Sequence, residues 1–269
     1  MFRVCINNLR CMIGQKKDGV QYGGDVILKS ISKHYKQQTY SNKITISNID
    51  INKLRDYRNG YKTVKNNLNK GKLNINLGGD HSIAVSTIQP LLEKYKENLL
   101  VVWIDAHADL NTYESSETKS RHGMPLGALM GLTEHWFKIN AKKIVLHPEN
   151  LIYIGIRDLD KFENDIIKDK CIANYPYFTN ELFEKIKKHP AKHIHISCDI
   201  DSMSPSIMPS TGTAVNNGLK VKHVTKIIDA CKSRLVGFDL VEFNPLIGNK
   251  REVRKTLQNI ITILKKVLP

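Results

Sequence analysis

Cysteine is scarce and scattered in this 269-residue chain: Cys5, Cys11, Cys171, Cys198 and Cys231, an odd number with no CxxC pair. That excludes a zinc ribbon and a secreted disulfide framework, and it favours a reducing, cytoplasmic setting. Long apolar runs are missing as well. None approaches the ~18 residues that mark a membrane span. The opening MFRVCINNLRCMIG has neither the apolar core nor the small-residue cleavage site of a secretory leader. Aromatic residues make up only 7%, and acidic residues are few beside basic ones, 26 against 41, for a net charge of +15. A basic chain can bind nucleic acid or an anionic membrane. Here no RNP-like or helix-turn-helix pattern accompanies the charge, and the lysines are spread along the chain among Asn, Ile and Tyr. We read the excess as general surface charge, and expect no specific nucleic-acid partner and no membrane partner.

What is present is ordinary for a globular protein: 41% hydrophobic and 25% charged residues. The chain is long enough to bury a full core. Strand-like apolar runs alternate with helical patterns from end to end, which predicts an α/β protein. The expected form is a three-layer αβα arrangement with a central, mainly parallel sheet, as one domain over residues 1–269. Strands are expected at 3–6, 73–77, 99–104, 151–156, 193–199 and 235–242. Helices are expected near 25–34, 53–68, 82–95, 180–188, 222–231 and 253–268, with Ser82 capping the third. Residues 36–52 are too polar to assign. The polar stretch 105–122 is too long for a routine connection, which is a mark of a functional loop.

Three short clusters carry the chemistry: GGDHS around His81, DAHADLN over 105–111, and SCDID ending at Asp199 and Asp201. Each follows an apolar run, which places it beyond the carboxyl end of a strand, where open parallel sheets bind ligands. Side chains two apart in an extended segment point the same way. Asp105, His107 and Asp109 then share a face, as do Asp199 and Asp201, and Cys198 falls on the opposite, core-facing side. Carboxylates are rarely buried unless paired or bound to metal. So many acids converging with imidazoles therefore need local positive charge, most simply two divalent cations. Two such ions about 3.5 Å apart can share a water and lower its pKa towards neutrality. An oxygen and imidazole donor set without thiolate suits manganese, with iron, cobalt or nickel as alternatives.

With GGDHS, DAHADLN, HGMPL, GIRDLD, SCDIDSMSPSIMPSTGT and VEFNP in this order over nearly the whole length, the chain resembles the ureohydrolases, and the arginases among them. The resemblance implies an arginase-like fold. It also implies hydrolysis of a small guanidino substrate, L-arginine, to L-ornithine and urea by a metal-bridging hydroxide, with two Mn2+ per subunit. It places one ion on His81, Asp105, Asp109 and Asp199, and the other on His107, Asp105, Asp199 and Asp201. Asp109 would also orient the hydroxide, Glu242 would pair with the guanidinium, and His122 would shuttle a proton. Asn111, Thr118 and Ser120 align with the loop that holds the α-carboxylate. Asp158, Asp160 and Glu163 align with the acids around the α-amino group, and Thr213 joins the substrate residues. A homotrimer or homohexamer is implied as well.

The chain departs from the family pattern in places. TKSRHG stands where SGNxHG is common, Ser204 where Asp often precedes Pro, Ala214 where proline follows Thr213, and Asn216 and Asn217 where small residues are usual. The alternatives are another ureohydrolase, acting on agmatine or a guanidino acid, and a non-catalytic arginine-binding relative.

Overall fold

The computed structural model describes residues 3–35, 44–70, 72–133 and 145–268. Eight strands run parallel in one sheet: β1 (Arg3–Cys11), β2 (Ile44–Ile51), β3 (Lys72–Gly78), β4 (Leu99–Ile104), β5 (Leu151–Ile154), β6 (Ala173–Tyr175), β7 (His193–Asp199) and β8 (Leu235–Val241). Their spatial order is β2-β1-β3-β8-β7-β4-β5-β6. Every residue of β4, LLVVWI, is buried, as expected for a central parallel strand covered on both faces.

Alternation along the strands divides the apolar residues into two cores. Leu100, Val102, Ile104, Ile152 and Ile154 pack with α1 (Gly23–Tyr35), α6 (Asn180–Lys188), α7 (Val221–Cys231) and α8 (Lys250–Val267). Leu99, Val101, Trp103, Leu151 and Tyr153 pack with α2 (Tyr57–Asn69), α3 (Ala84–Tyr95), α4 (Pro125–Leu129) and α5 (Lys161–Asp169). The three layers follow from this two-residue period.

Several expectations shift. β1 runs to Cys11, well past residue 6. Within the unassigned stretch, 44–51 forms the edge strand β2, while 36–43 lie outside the described residues. The cap before α3 is Asp80, whose carboxylate accepts from Ser82 N at 3.0 Å. Ser82 was expected in that role; its hydroxyl is spent donating to Asp80. Strand β6 and helix α5 were not anticipated. The start of α5 is a capping box in which Asp160 accepts from Glu163 N at 2.8 Å and Glu163 accepts from Asp160 N at 3.4 Å. The DxxE spacing was legible as a helix start, but reading it as a substrate motif hid it.

One row of the sheet is polar from edge to edge. Ser47, Asn7, Asn76, Asp239, Ser197, Trp103, Tyr153 and Asn174 are paired in register across all eight strands. Asn7 donates to Asn76 at 2.8 Å and Asn76 to Asp239 at 2.6 Å. Buried polar groups need such partners. The central members of the row also reach upward to the loops above the strand ends.

Candidate metal centre and substrate cleft

Each predicted ligand sits just past a strand end. His81 follows β3, Asp105, His107 and Asp109 follow β4, and Asp199 and Asp201 end and follow β7. They form two groups. His81, Asp105 and Asp109 present ligand atoms within 4.8 Å of one another, and so do Asp105, His107 and Asp201. Asp105 belongs to both. Its Oδ2 lies 2.9 Å from His81 Nδ1 and its Oδ1 lies 3.5 Å from His107 Nδ1. Asp109 and Asp199 bring oxygens to 3.1 and 3.5 Å from His81 Nδ1, and Asp201 to 3.2 Å from His107 Nδ1.

The polar row aims these ligands. Ser197 Oγ lies 2.8 Å from His81 Nε2 and reaches Asp239 at 3.4 Å. With Ser197 accepting from Nε2–H, the His81 lone pair sits on Nδ1, pointed at the three carboxylates. That Nδ1 is buried and makes no well-directed hydrogen bond. Trp103 stacks on the His81 ring at 4.0 Å and donates its indole N–H to Asp105 Oδ2 at 3.1 Å. An imidazole lone pair facing several carboxylates, with its other nitrogen held by a hydrogen bond, is a donor set that could hold a divalent cation. Thr213 donates to Asp201 Oδ2 at 2.8 Å, so it braces a candidate ligand.

Electrostatics show the strain of crowding. Burial, then the Asp105 charge, pushes Asp109 up to about 6. Burial, then the charges of Asp201 and Asp105, holds Asp199 well above the usual carboxylate range. For His107, burial opposes protonation, but Asp105 and Asp201 outweigh it and push the ring up to about 12. Two strained backbone positions lie here too. Asp109 and Glu242 are non-glycine residues at φ 51° and 68°, each a cost of roughly 1–3 kcal/mol tolerated where the surroundings fix the geometry.

A cleft of about 480 Å³ opens beside the ligands, and His107, Asn111, Thr118, Ser120, His122, Asp158, Asp160, Glu163 and Thr213 all line it. Asn111 donates to Asp160 at 2.6 Å and accepts from Ser115 at 2.7 Å. Burial pushes Glu163 up to about 8, against the hydrogen bonds it accepts from Leu110 N and Asp160 N. Glu242 stands behind His122, whose Nδ1 is 3.4 Å from Glu242 Oε1. The same oxygen accepts from His81 N at 2.9 Å.

Reading the motifs missed five residues that build this site. Trp103, Ser197 and Asp239 looked like strand interior. Gln15, in the loop after β1, bridges His122 and Glu242. Arg157, beside the RDLD acids, spends its guanidinium on loop carbonyls. A polar residue in an otherwise apolar strand is a usable signal for the first three. Nothing in the local sequence marks Gln15.

The Arginase family model matches residues 4–268. The chain belongs to the arginase family. It is 34% identical over 245 residues to an arginase of Schizosaccharomyces pombe, covering 86% of this chain and 73% of that one. To an arginase of Plasmodium berghei it is 38% identical over 203 residues, 70% of this chain but only 57% of the relative. Entamoeba histolytica arginase, solved in complex with L-ornithine, superposes with a TM-score of 0.85 at 28% identity, over 98% of this chain and 99% of that one. The agmatine ureohydrolase of Thermoplasma volcanium shares the fold, with a TM-score of 0.75 at 20% identity over 99% and 89% of the chains. As an arginase-family ureohydrolase, the protein is a hydrolase.

Proposed function

We propose that this chain hydrolyses L-arginine to L-ornithine and urea with a pair of manganese ions. The observation that carries the proposal is Asp105, which turns one oxygen to each His/Asp group at the floor of an acid-walled cleft. The L-ornithine bound by the Entamoeba relative is the product such a reaction leaves. His81, Asp105, Asp109 and Asp199 would hold one ion, and His107, Asp105, Asp199 and Asp201 the other. When bound, the pair offsets the carboxylate charge and activates water at neutral pH.

The protein's own groups supply the rest. Arginine's guanidinium is a stable cation, a poor electrophile with a poor leaving group. Glu242, buried behind His122 and outside the cleft lining, is the carboxylate assigned to that cation, so pairing requires the guanidinium to enter past His122. Asp109 accepts a hydrogen bond from the attacking water. His122 turns Nδ1 to Glu242 and Gln15, which leaves Nε2 to give a proton to the departing nitrogen. Asp158, Asp160 and Glu163 favour a substrate with an α-ammonium group, and Asn111, Thr118 and Ser120 one with an α-carboxylate.

A urea-release assay across guanidino compounds, with metal measured on the same sample, tests this. L-arginine should exceed agmatine in kcat/KM by about 10- to 100-fold, because agmatine keeps the ammonium but lacks the α-carboxylate, and a charge-assisted contact worth roughly 1.5–3 kcal/mol is lost with it. Agmatine turned over as well as arginine would overturn the substrate, and full activity without bound metal would overturn the chemistry.

A pH dependence follows from Glu163. Its value in the fold, about 8, lies above the ordinary 4.5. Its contribution to stability is therefore complete below 4.5 and is lost as pH rises through about 8. A bound α-ammonium prefers the carboxylate form. KM for arginine should therefore fall as pH rises from 7 to 9, and should flatten in Glu163→Gln. Identical profiles for the two proteins would remove Glu163 from substrate binding.

A further inference from the structure

We infer that Gln15 is a positioning residue that sets the tautomer of His122, an inference that rests on the reading of this cleft as a guanidino-hydrolysing site. The Gln15 amide nitrogen lies 2.7 Å from Glu242 Oε2 and 3.2 Å from His122 Nδ1. Glu242 accepts only, so the contact at 2.7 Å requires the NH2 end of the amide to face it; the carbonyl end would set two acceptors against each other. The second amide hydrogen is then directed at His122 Nδ1. A neutral His122 must accept there, and its proton is placed on Nε2, the atom left for the cleft.

Gln15 cannot easily turn away. Its N–H closes a turn on Met12 O at 3.1 Å. A Cβ built on Gly212 would stand 3.0 Å from the amide nitrogen, so the amide packs closely against this glycine. The flanking lysines tether the loop on both sides, Lys16 to Thr118 O at 3.3 Å and Lys17 to Gly212 O. Gly14 completes the seat: its N–H donates to Asp80 at 2.9 Å and its carbonyl accepts from His122 N at 3.3 Å. A Cβ on Gly14 would meet Asp80 Oδ1 at 2.5 Å and His122 N at 2.8 Å. The loop after β1 thus grips His122 by backbone and side chain at once. Glu242 and Gln15 act on Nδ1 in opposite senses: the carboxylate favours a proton there and the amide excludes it.

The test uses Gln15→Met, which fills similar volume without donors, and Gln15→Glu, which keeps the shape and sets a carboxylate against Glu242. In the manganese-loaded enzyme with L-arginine, each should lower kcat by about 10- to 100-fold, part of what a positioned proton donor supplies, with KM within about threefold. In a His122→Ala background, Gln15→Met should cost less than about twofold more. Multiplicative losses in that double variant, or an unchanged kcat in both single variants, would overturn the inference. A second readout needs no turnover. In metal-free, 15N-histidine-labelled protein at pH 10, above the value of about 9 to which His122 is pushed, its shifts should report Nε2–H with Gln15 and gain Nδ1–H character in Gln15→Met. A tautomer indifferent to Gln15 refutes the inference even if arginine is cleaved. A wild-type protein that cleaves no guanidino compound rejects the function instead, and the tautomer still decides Gln15.

Discussion

Replacing Asp105 by asparagine is expected to lower urea release by about 10³-fold or more, with bound metal falling below two ions per chain. The size follows from the residue's double duty. A carboxylate can face a cation with each oxygen, and Asp105 divides its oxygens between the His81 and His107 groups. An amide has one acceptor and would turn N–H hydrogens towards one of the two sites. Ligand contacts to catalytic ions are worth several kcal/mol, and each 1.36 kcal/mol is tenfold in rate. The second partners of Asp105 would suffer too: Trp103 Nε1 and His107 N both donate to it, at 3.1 and 2.9 Å. Metal analysis and steady-state kinetics on the same preparation check the result. Two ions retained with activity within tenfold of wild type would show that Asp105 is not shared between them.

Arg157→Met is expected to destabilise the protein by about 3 kcal/mol or more and to weaken metal binding, although Arg157 touches no predicted ligand side chain. Its guanidinium donates to the carbonyls of Gly155, Asp201, Ser202, Val215 and Asn216 at 2.9, 2.8, 3.2, 2.8 and 2.8 Å. It thereby ties the loop after β5 to the loop carrying Asp201 and to the segment beyond Thr213. Methionine preserves much of the packing but leaves acceptors unpaired, at roughly 1–3 kcal/mol for each one that water cannot reach. Lysine is a poor substitute, with three donors on one atom in place of a planar fork of five. Burial lowers the Arg157 pKa against the charges of Asp201, Asp105 and Asp199; by charge alone its loss favours a bound cation, so weaker metal binding is expected from the loosened loops. Thermal unfolding should shift down by about 6–12 °C for a chain of this size. A melting temperature within a degree of wild type, with unchanged metal affinity, would show that the loops hold without it.

The apolar run 99–104 announced its strand because a doubly covered parallel strand shows little polar side, whereas 193–199 alternates, with Ile194, Ile196 and Cys198 in the core and Ser197 in the polar row. The carboxylates after them announced a site because buried acids need a reason. Less regular segments said little. Strand β6 has three residues, none fully buried, too short for a period to register. Strand β2 lies at the sheet edge with an uneven burial pattern, so its composition looks like a loop. The start of α5 carried a capping box, yet Asp160 and Glu163 fit a substrate motif equally well. The structure gives them both settings, at a helix N-terminus and on the wall of the cleft.

Local composition therefore determined the fold class, the three acid clusters and their place beyond strand ends, because hydrophobic period and the cost of buried charge act over a few residues. Tertiary structure alone decided which oxygen of Asp105 meets which histidine, how Ser197 and Trp103 hold His81, and that Gln15 and Arg157 belong to the site. Those contacts join segments tens to hundreds of residues apart, such as Gln15 to Glu242. Only the order of strands in the sheet brings such loops together.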